Sequence, residues 1–513
     1  MGQETNAQEE AFRFLGDPRT HGGHTVQRID THAASVFLAG DRALKVKRAV
    51  RFPFLDYSTL AKRKAACEAE LTVNAPYAPQ IYRGVVAIAR TADGKLAIGG
   101  SGEAVEWAVD MRRFDEKRTL DHIAGEIDES LADALARAVA AAHARSRVVE
   151  TDPWSAALGS YIDEHAATFA QFPDIFPTAV NTDLARASRA AYDRIVPLLR
   201  ERGRQGFVRR IHGDLHLGNV VLIDGNPVLF DAIEFSDIIA SGDVLYDLAF
   251  LLMDLCERGL KLPANVVLNR YLAETRRDEN LDALEALPFF LSMRAAIRAR
   301  VTAPRLERAD AEKRPALARL ARAYFDFAVA AIAPPPPAFI AVGGLSGTGK
   351  SKLARMLAPD IAPLPGAVIV RSDVERKTLF GVDETEKLAT DAYSEGVTAR
   401  VYSALAAKAC RTVVAGHSVI VDAVFARPHE RAAIDEAAKS LRKPLQGLFL
   451  IADMETRVRR VGSRLRDASD ADATVARAQE GYELGSLDWP SVDASGTPEA
   501  TLTRAKATLV RRI

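Results

Sequence analysis

The chain has 513 residues, too many for one hydrophobic core, so two or three domains are expected. Hydrophobic residues make up 48% and charged residues 27%, an ordinary globular composition rather than a disordered or membrane one. Lys+Arg and Asp+Glu both total 68, which argues against nucleic acid or an anionic membrane as partner.

Cys67, Cys256 and Cys410 are far apart and form no CxxC, which speaks against a disulfide framework or zinc site and fits a reducing compartment. The opening MGQETNAQEE lacks the basic-then-apolar signal pattern, and Asn6 stands where a myristoylation signal wants Ser or Thr. A cytoplasmic location is the expectation. No fixed-period repeat is visible.

In chain order, SVFLAGDRALKVK (35–47) reads as a hairpin turning at Gly40-Asp41. Lys45 and Lys47 are both candidates for a lysine directed at phosphate. Lys45 is preferred, because Ala43 shares its strand face and leaves room for a base; choosing Lys47 would put Lys45 there instead. A helix over RKAACEAELTVN offers Glu68 and Glu70 as the partner carboxylate. No GxGxxG precedes the hairpin; THAAS (31–35) takes that place, with hydroxyl and backbone donors to offer. His143 in AVAAAHARS reads as a packing residue.

The stretch HGDLHLGN carries Asp214 and, five residues later, Asn219. VVLI, the turn DGNP and VLF follow, then Asp231. Asp-Gly between apolar runs is a hairpin signal, and the hairpin returns Asp231 to the end that holds Asn219. One carboxylate can then accept a hydroxyl proton, while an amide oxygen and a second carboxylate hold Mg²⁺ on phosphates. HGDxHxxN with the following FDxIEF resembles the aminoglycoside phosphotransferase family, which shares the protein-kinase fold. The resemblance implies Asp214 as catalytic base, Asn219 and Asp231 as metal ligands, an assisting Glu234, and Glu70, placed before LTVN, as the partner of Lys45. It makes Asp243 and Asp247 in SGDVLYDLAFLL structural helix residues.

Next, ARLARAYFDFAVAAIA reads as a helix that Pro334 to Pro337 must end, since four prolines take the extended polyproline form. The expected division is a first domain at 1–333, a proline linker at 334–337 and a second domain at 338–513. In the second, GLSGTGKS (344–351) fits G-x-x-x-x-G-K-[ST], preceded by the apolar AFIAV and followed by the helical SKLARMLA. Backbone N–H groups of Gly344, Ser346, Gly347, Thr348 and Gly349 are set to cradle phosphate, Lys350 to reach its outer oxygens, and Ser351 to ligate Mg²⁺.

Three later segments bear on the acceptor. AVIVRSDVERKTLFG reads as a strand ending at Asp373, with Arg376 three residues on; a carboxylate there can orient or deprotonate a hydroxyl, or merely cap a helix. SVIVDAVF ends an apolar strand in Asp422, which can hold Mg²⁺ through water, serve as an alternative base, or merely cap a helix. Arg457, Arg460 and Arg464 share a helix face and can close over a phosphoryl group, or simply face solvent. This order resembles the small P-loop kinases, which include gluconate kinase, chloramphenicol phosphotransferase, zeta toxins and polynucleotide 5′-kinase. The resemblance implies Asp373 as the acceptor base and catalytic roles for Arg376 and Lys350.

The whole chain resembles bacterial proteins that join the two families. It implies an α+β, two-lobed, protein-kinase-like domain followed by an α/β P-loop kinase domain with a parallel sheet. The expected activity is bifunctional, moving the γ-phosphate of ATP, with Mg²⁺, to hydroxyls of a small metabolite or sugar. A nucleic-acid end kinase, a toxin-like kinase and a regulatory nucleotide sensor remain open. The acceptor, the order of action and the oligomeric state are not written in the sequence.

Overall fold

The computed structural model describes residues 2–52, 55–462 and 468–510. Packing divides the chain into two compact units, residues 1–160 with 199–251, and 161–198 with 252–513. The Thr178–Arg204 helix crosses one junction, and Pro334 to Pro337 lie within the second unit.

The first unit is built on a six-stranded antiparallel sheet. Its strands are β1 (Val26–Asp30), β2 (Ala34–Ala39), β3 (Arg42–Lys47), β4 (Tyr82–Arg90), β5 (Leu96–Ile98) and β6 (Glu103–Arg112), in the order β1-β2-β3-β6-β4-β5. The β2–β3 turn is the anticipated Gly40-Asp41 pair, with Ala39 opposite Arg42 and Gly40 at φ 56°. Alternation along the strands sends Phe37, Leu44 and Val46 to one face, against Ala11 and Leu15 of the Gly2–Gly16 helix. Leu38 and Ala43 go to the other, against Cys67, Met111, Val221 and Val228. The hairpin of β7 (Val220–Ile223) and β8 (Asn226–Leu229) turns on Asp224 and Gly225, both at positive φ, as a two-residue connection of this hand requires.

In the second unit, helices Leu287–Thr302 and Arg314–Ile332 pack together, and Phe325 joins Phe169 and Phe176 in an aromatic cluster. A five-stranded parallel sheet follows: β9 (Phe339–Gly344), β10 (Val368–Arg371), β11 (Val419–Asp422), β12 (Leu445–Ile451) and β13 (Ser491–Asp493), in the order β10-β11-β9-β12-β13. β9 is buried throughout, which explains its unbroken apolar reading. No helix among the described residues is long and apolar enough to cross a membrane.

Candidate functional site

Each unit carries one cluster of charged side chains around a phosphate motif. In the first, the Leu60–Asn74 helix starts at Thr59, whose hydroxyl caps Lys62 N–H, and buries Arg63, Cys67, Glu70 and Asn74 as one stripe. Glu70 is thereby fully buried beneath β3. Lys45 Nζ lies 2.8 Å from Glu70 Oε1 and 2.6 Å from Asp231 Oδ1. Lys47 Nζ lies 2.5 Å from Glu70 Oε2 and also pairs with Glu234. Both lysine side chains fall on one face of β3 and share Glu70, while Lys45 pairs with Asp231 and Lys47 with Glu234. Glu68 instead faces outward beside Lys64.

Burial opposes the charge on Lys45, yet Asp231 and Glu70 outweigh it and hold its pKa well above the ordinary value. Burial likewise opposes the charge on Glu70, and the two lysines more than reverse this, bringing its carboxyl down to about 2.

Asp231 sits at φ 60°, just past β8, and its position is fixed from two sides. Phe230 N–H donates to Asn219 O at 3.0 Å. On the other side the Asn74 amide grips Ala232, donating to its carbonyl at 3.0 Å and accepting from its N–H at 2.7 Å. Asn219 Nδ2 donates to Asp214 O at 2.9 Å and Oδ2 at 3.1 Å, so Asp214 and Asn219 are direct neighbours. The loop before them is held from below: fully buried Asp247 accepts from His212 N–H at 2.9 Å and Gly213 N–H at 3.0 Å, with His143 Nε2 3.2 Å away. Asp243 forms a buried pair with Arg202, at 2.5 and 2.8 Å. Nothing in the sequence distinguished Asn74 as an anchor, because its partner lies 158 residues away.

The THAAS segment is the β1–β2 turn, and its hydroxyls are already engaged. Thr31 Oγ1 donates to Ala34 O at 3.0 Å, and Ser35 Oγ donates to Asp30 at 2.6 Å. The turn's own geometry consumes the side-chain donors that the sequence suggested for phosphate.

In the second unit, the strand leading to Asp373 stops at Arg371, and Asp373 lies in the first turn of the Ser372–Phe380 helix. The glycine loop joins β9 to the Lys350–Leu357 helix, with Gly344, Gly347 and Gly349 at positive φ. A Cβ on Gly347 would lie 2.4 Å from Arg457 O, and one on Gly344 would lie 2.7 Å from Leu450 O, so only glycine fits either place. Thr348 Oγ1 donates to Leu345 O at 2.8 Å, and Lys350 Nζ lies 3.3 Å from the same carbonyl. Ser346 N–H donates to Gln479 Oε1 at 2.7 Å.

Ser351, Asp373 and Asp422 converge here, joined by Arg371, which the sequence reading passed over. Arg371 Nη2 donates to Ser351 Oγ at 3.1 Å, and its Nε lies 3.3 Å from Asp422 Oδ2. The register that sets Arg371 opposite Asp422 brings these about. Burial pushes the Asp373 carboxyl above its ordinary value, against the pull of Arg371 and Lys350.

The three lid arginines separate. Arg457 is buried and structural, donating to Ser346 O at 3.0 Å and Ala476 O at 2.8 Å while pairing with Glu480. It braces the loop from behind rather than closing over it. Arg460 reaches the loop's open side, with Nη1 3.4 Å from Thr348 O and Nη2 2.7 Å from Gly496 O. Arg464 lies outside the described residues. Arg376 is engaged too, donating to Ala392 O at 2.6 Å and stacking on Tyr393 at 4.7 Å. Loop, Asp373, Arg376, Asp422 and Arg460 line one cavity of about 1180 Å³, whose far wall includes Tyr393, Tyr402 and Glu430.

Among the described residues, no three His, Cys, Asp or Glu side chains converge as a metal cage. The donors present suit Mg²⁺ nonetheless. It takes hard oxygens, few of them from protein, and completes its shell with phosphate and water. With Asn219 Nδ2 donating to Asp214, its Oδ1 is an amide oxygen of the kind a cation takes, and the Phe230 N–H to Asn219 O bond ties the residue before Asp231 to Asn219. Ser351 Oγ and the Asp422 carboxylate offer the same chemistry in the other unit, where the Arg371 guanidinium spans them.

A two-lobed kinase-like fold with one phosphate cluster, followed by a parallel-sheet P-loop fold with another, defines a phosphotransferase enzyme. Residues 35–287 match the phosphotransferase enzyme family, and residues 339–483 match the AAA domain family. Uncharacterised proteins of Mycobacterium tuberculosis and Mycobacterium bovis are 30% identical over 495 residues, covering 93% of this chain and 94% of theirs. The chain belongs to the family of these relatives, and its own two matches set a phosphotransferase domain before an AAA domain. Among solved structures it is similar to a choline/ethanolamine kinase family protein from Mesorhizobium loti, at 16% identity, 64% of this chain, 99% of that one and a TM-score of 0.36. It is also similar to a gluconokinase from Sinorhizobium meliloti, at 20% identity, 34% of this chain, 93% of that one and a TM-score of 0.26.

Proposed function

We propose that the protein is a cytoplasmic, bifunctional kinase that moves the γ-phosphate of ATP to hydroxyls of a small metabolite or sugar, one transfer at each phosphate cluster. The functional division proposed is 1–333 for one activity and 338–513 for the other. One observation carries this reading: each cluster has its own cation for phosphate and its own carboxylate for a hydroxyl proton.

In the first cluster, Lys45 orients the phosphates and Glu70 holds Lys45 in place. The acceptor oxygen attacks the γ-phosphorus, the bond to the β,γ-bridging oxygen breaks, and Asp214 receives the hydroxyl proton. Asn219 and Asp231 hold Mg²⁺, which when bound offsets phosphate charge. In the second, the loop N–H groups and Lys350 bind phosphate, Ser351 and Asp422 hold Mg²⁺, and Arg460 covers the loop. Asp373 takes the proton there; its raised pKa makes it a stronger base than an exposed aspartate. Arg376 shapes the acceptor wall. A cavity of about 1180 Å³ has room for a nucleotide tail and a small acceptor together, and suits a metabolite better than a polymer end.

The test is transfer of label from γ-labelled ATP into a metabolite pool, read by mass spectrometry. The wild-type chain should give labelled phosphate esters, and the double variant Asp214→Asn with Lys350→Ala should give none. Equal labelling by the double variant would refute the proposal.

A further inference from the structure

β10 is an edge strand of the parallel sheet, with β11 on one side only. An open edge leaves backbone N–H and C=O groups without a ladder, a liability that proteins manage explicitly. Here two asparagines of the Lys261–Thr275 helix answer it. Asn269 Oδ1 accepts from Ile369 N–H at 2.7 Å, and Asn269 Nδ2 donates to Ala367 O at 3.1 Å. Asn265 Nδ2 donates to the same carbonyl at 3.0 Å. A side-chain amide has the donor and acceptor of a peptide unit, so Asn269 supplies the pair of bonds that a neighbouring strand would supply. The approach is close: a Cβ on Gly366 would lie 2.7 Å from Asn265 Nδ2.

The pinned residues lead directly into the P-loop site. Two residues beyond Ile369, Arg371 spans Ser351 and Asp422, and two further on comes Asp373. The same helix also reaches the segment that follows the Asp373 helix. Arg270 lies 2.8 Å from Glu384, and Arg276, at the helix's C-terminal cap, donates to Val382 O at 3.0 Å. That segment then meets Asp470, a cavity-lining carboxylate that accepts from Leu388 N–H at 3.0 Å and Tyr393 OH at 2.6 Å.

We infer that Asn269 is a positioning residue of the P-loop site: acting as a substitute strand, it sets the place of β10 and, through it, of Arg371 and Asp373. The catalytic part of this inference rests on the proposed role of Asp373. The consequence is that residues matched to the phosphotransferase family build part of the P-loop site, which is thus not self-sufficient from residue 338 onward.

The experiment uses the full chain with Mg·ATP as the only substrate, so water is the acceptor. Its oxygen attacks the γ-phosphorus, the bond to the bridging oxygen breaks, Asp373 takes up the water proton, and ADP and phosphate leave. The rate assigned to the P-loop site is the part of ADP release that Lys350→Ala removes. Asn269→Ala should lower that part by about 10²-fold, the scale of a small misplacement of a reacting group. The nucleotide dissociation constant should change by less than about twofold, because the glycine loop springs from β9, not β10. Amide exchange of Ile369 and the residues up to Arg376 should speed up in the same variant.

Asn269→Asp keeps the acceptor for Ile369 N–H and loses the donor to Ala367. It serves if the alanine variant fails to fold, with an expected loss of about tenfold. A folded Asn269 variant with unchanged exchange at Ile369, or with faster exchange but wild-type release, overturns the inference. A fall in rate matched by an equal loss of binding also overturns it, since a merely loosened fold would do that. Wild-type release in Asp373→Asn, alongside faster exchange in Asn269→Ala, refutes the catalytic reading of Asp373 and supports the placement of β10 by Asn269.

Discussion

At the scale of the residue, the first unit's chemistry turns on which carboxylate does what. Asp214 accepts a hydrogen bond from Asn219, whereas Asp231 is bound directly into the lysine network through Lys45. Asp214→Asn should therefore leave ATP affinity nearly intact and lower transfer by about 10²–10⁴-fold, the range for a positioned base. Asp231→Ala should instead remove Mg²⁺-dependent ATP binding at this site, read by calorimetry with and without the cation. Glu70 supports a prediction about pH. Its folded carboxyl lies at about 2, below its ordinary 4.5, so the fold binds fewer protons there than the open chain does. The stability it contributes is present above about 4.5 and is lost as pH falls toward 2. Glu70→Gln should cost about 3–5 kcal/mol at neutral pH, as for one partner removed from a buried ion pair, and should flatten the acid limb of the stability curve. Chemical denaturation between pH 7 and 3 reads both.

At the scale of the element, the glycine loop is a backbone device whose tolerance is steric. Gly347→Ala would press a methyl group against the Arg457 backbone, which itself braces the loop. The expected outcome is loss of nucleotide binding by the P-loop part, with a destabilisation of about 1–3 kcal/mol. Thermal melts and binding titrations distinguish it from Lys350→Ala, which should lose affinity and keep stability. The loop was legible in the sequence because its chemistry is local: strand, glycines, lysine and helix follow each other without a gap. The β7–β8 hairpin was legible for the same reason, since Asp-Gly between apolar runs sets its register and so the meeting of Asn219 with the residues before Asp231. What escaped was everything carried by distant pairs. Arg371 reads as the end of an apolar strand, and only the β10–β11 register shows it between Ser351 and Asp422. Asn74 and Asn269 are single amides on helices, and each grips backbone about 100 or more residues away. Arg457 read as lid because helix periodicity gives a shared face but not what covers it.

At the scale of the whole molecule, packing and phosphate chemistry partition the chain differently. The proline run separates the two phosphate motifs in sequence, yet it lies inside the second compact unit. Excision at residue 338 would strip Asn265 and Asn269 from β10, so nucleotide stoichiometry is best counted in the intact chain. Two ATP molecules should bind per chain in Mg²⁺, and Asp231→Ala or Lys350→Ala should each leave one.

The order of the two transfers can be read in the same chain. Two unlike folds would serve two unlike hydroxyls better than one task performed twice, and a serial scheme then leaves a trace when either step is blocked. If the first unit acts first, Asp214→Asn should leave the acceptor unphosphorylated, and Lys350→Ala should accumulate a monophosphate; if the order is reversed, so are the two outcomes. The contrast follows from chemistry alone, because the second hydroxyl is presented only after the first product has formed. Mass spectrometry of timed reactions with labelled ATP separates the cases by the number of labelled phosphates on each product. Should both single variants abolish every labelled product with no intermediate at any time, the serial scheme fails, and one phosphate cluster must be controlling transfer at the other.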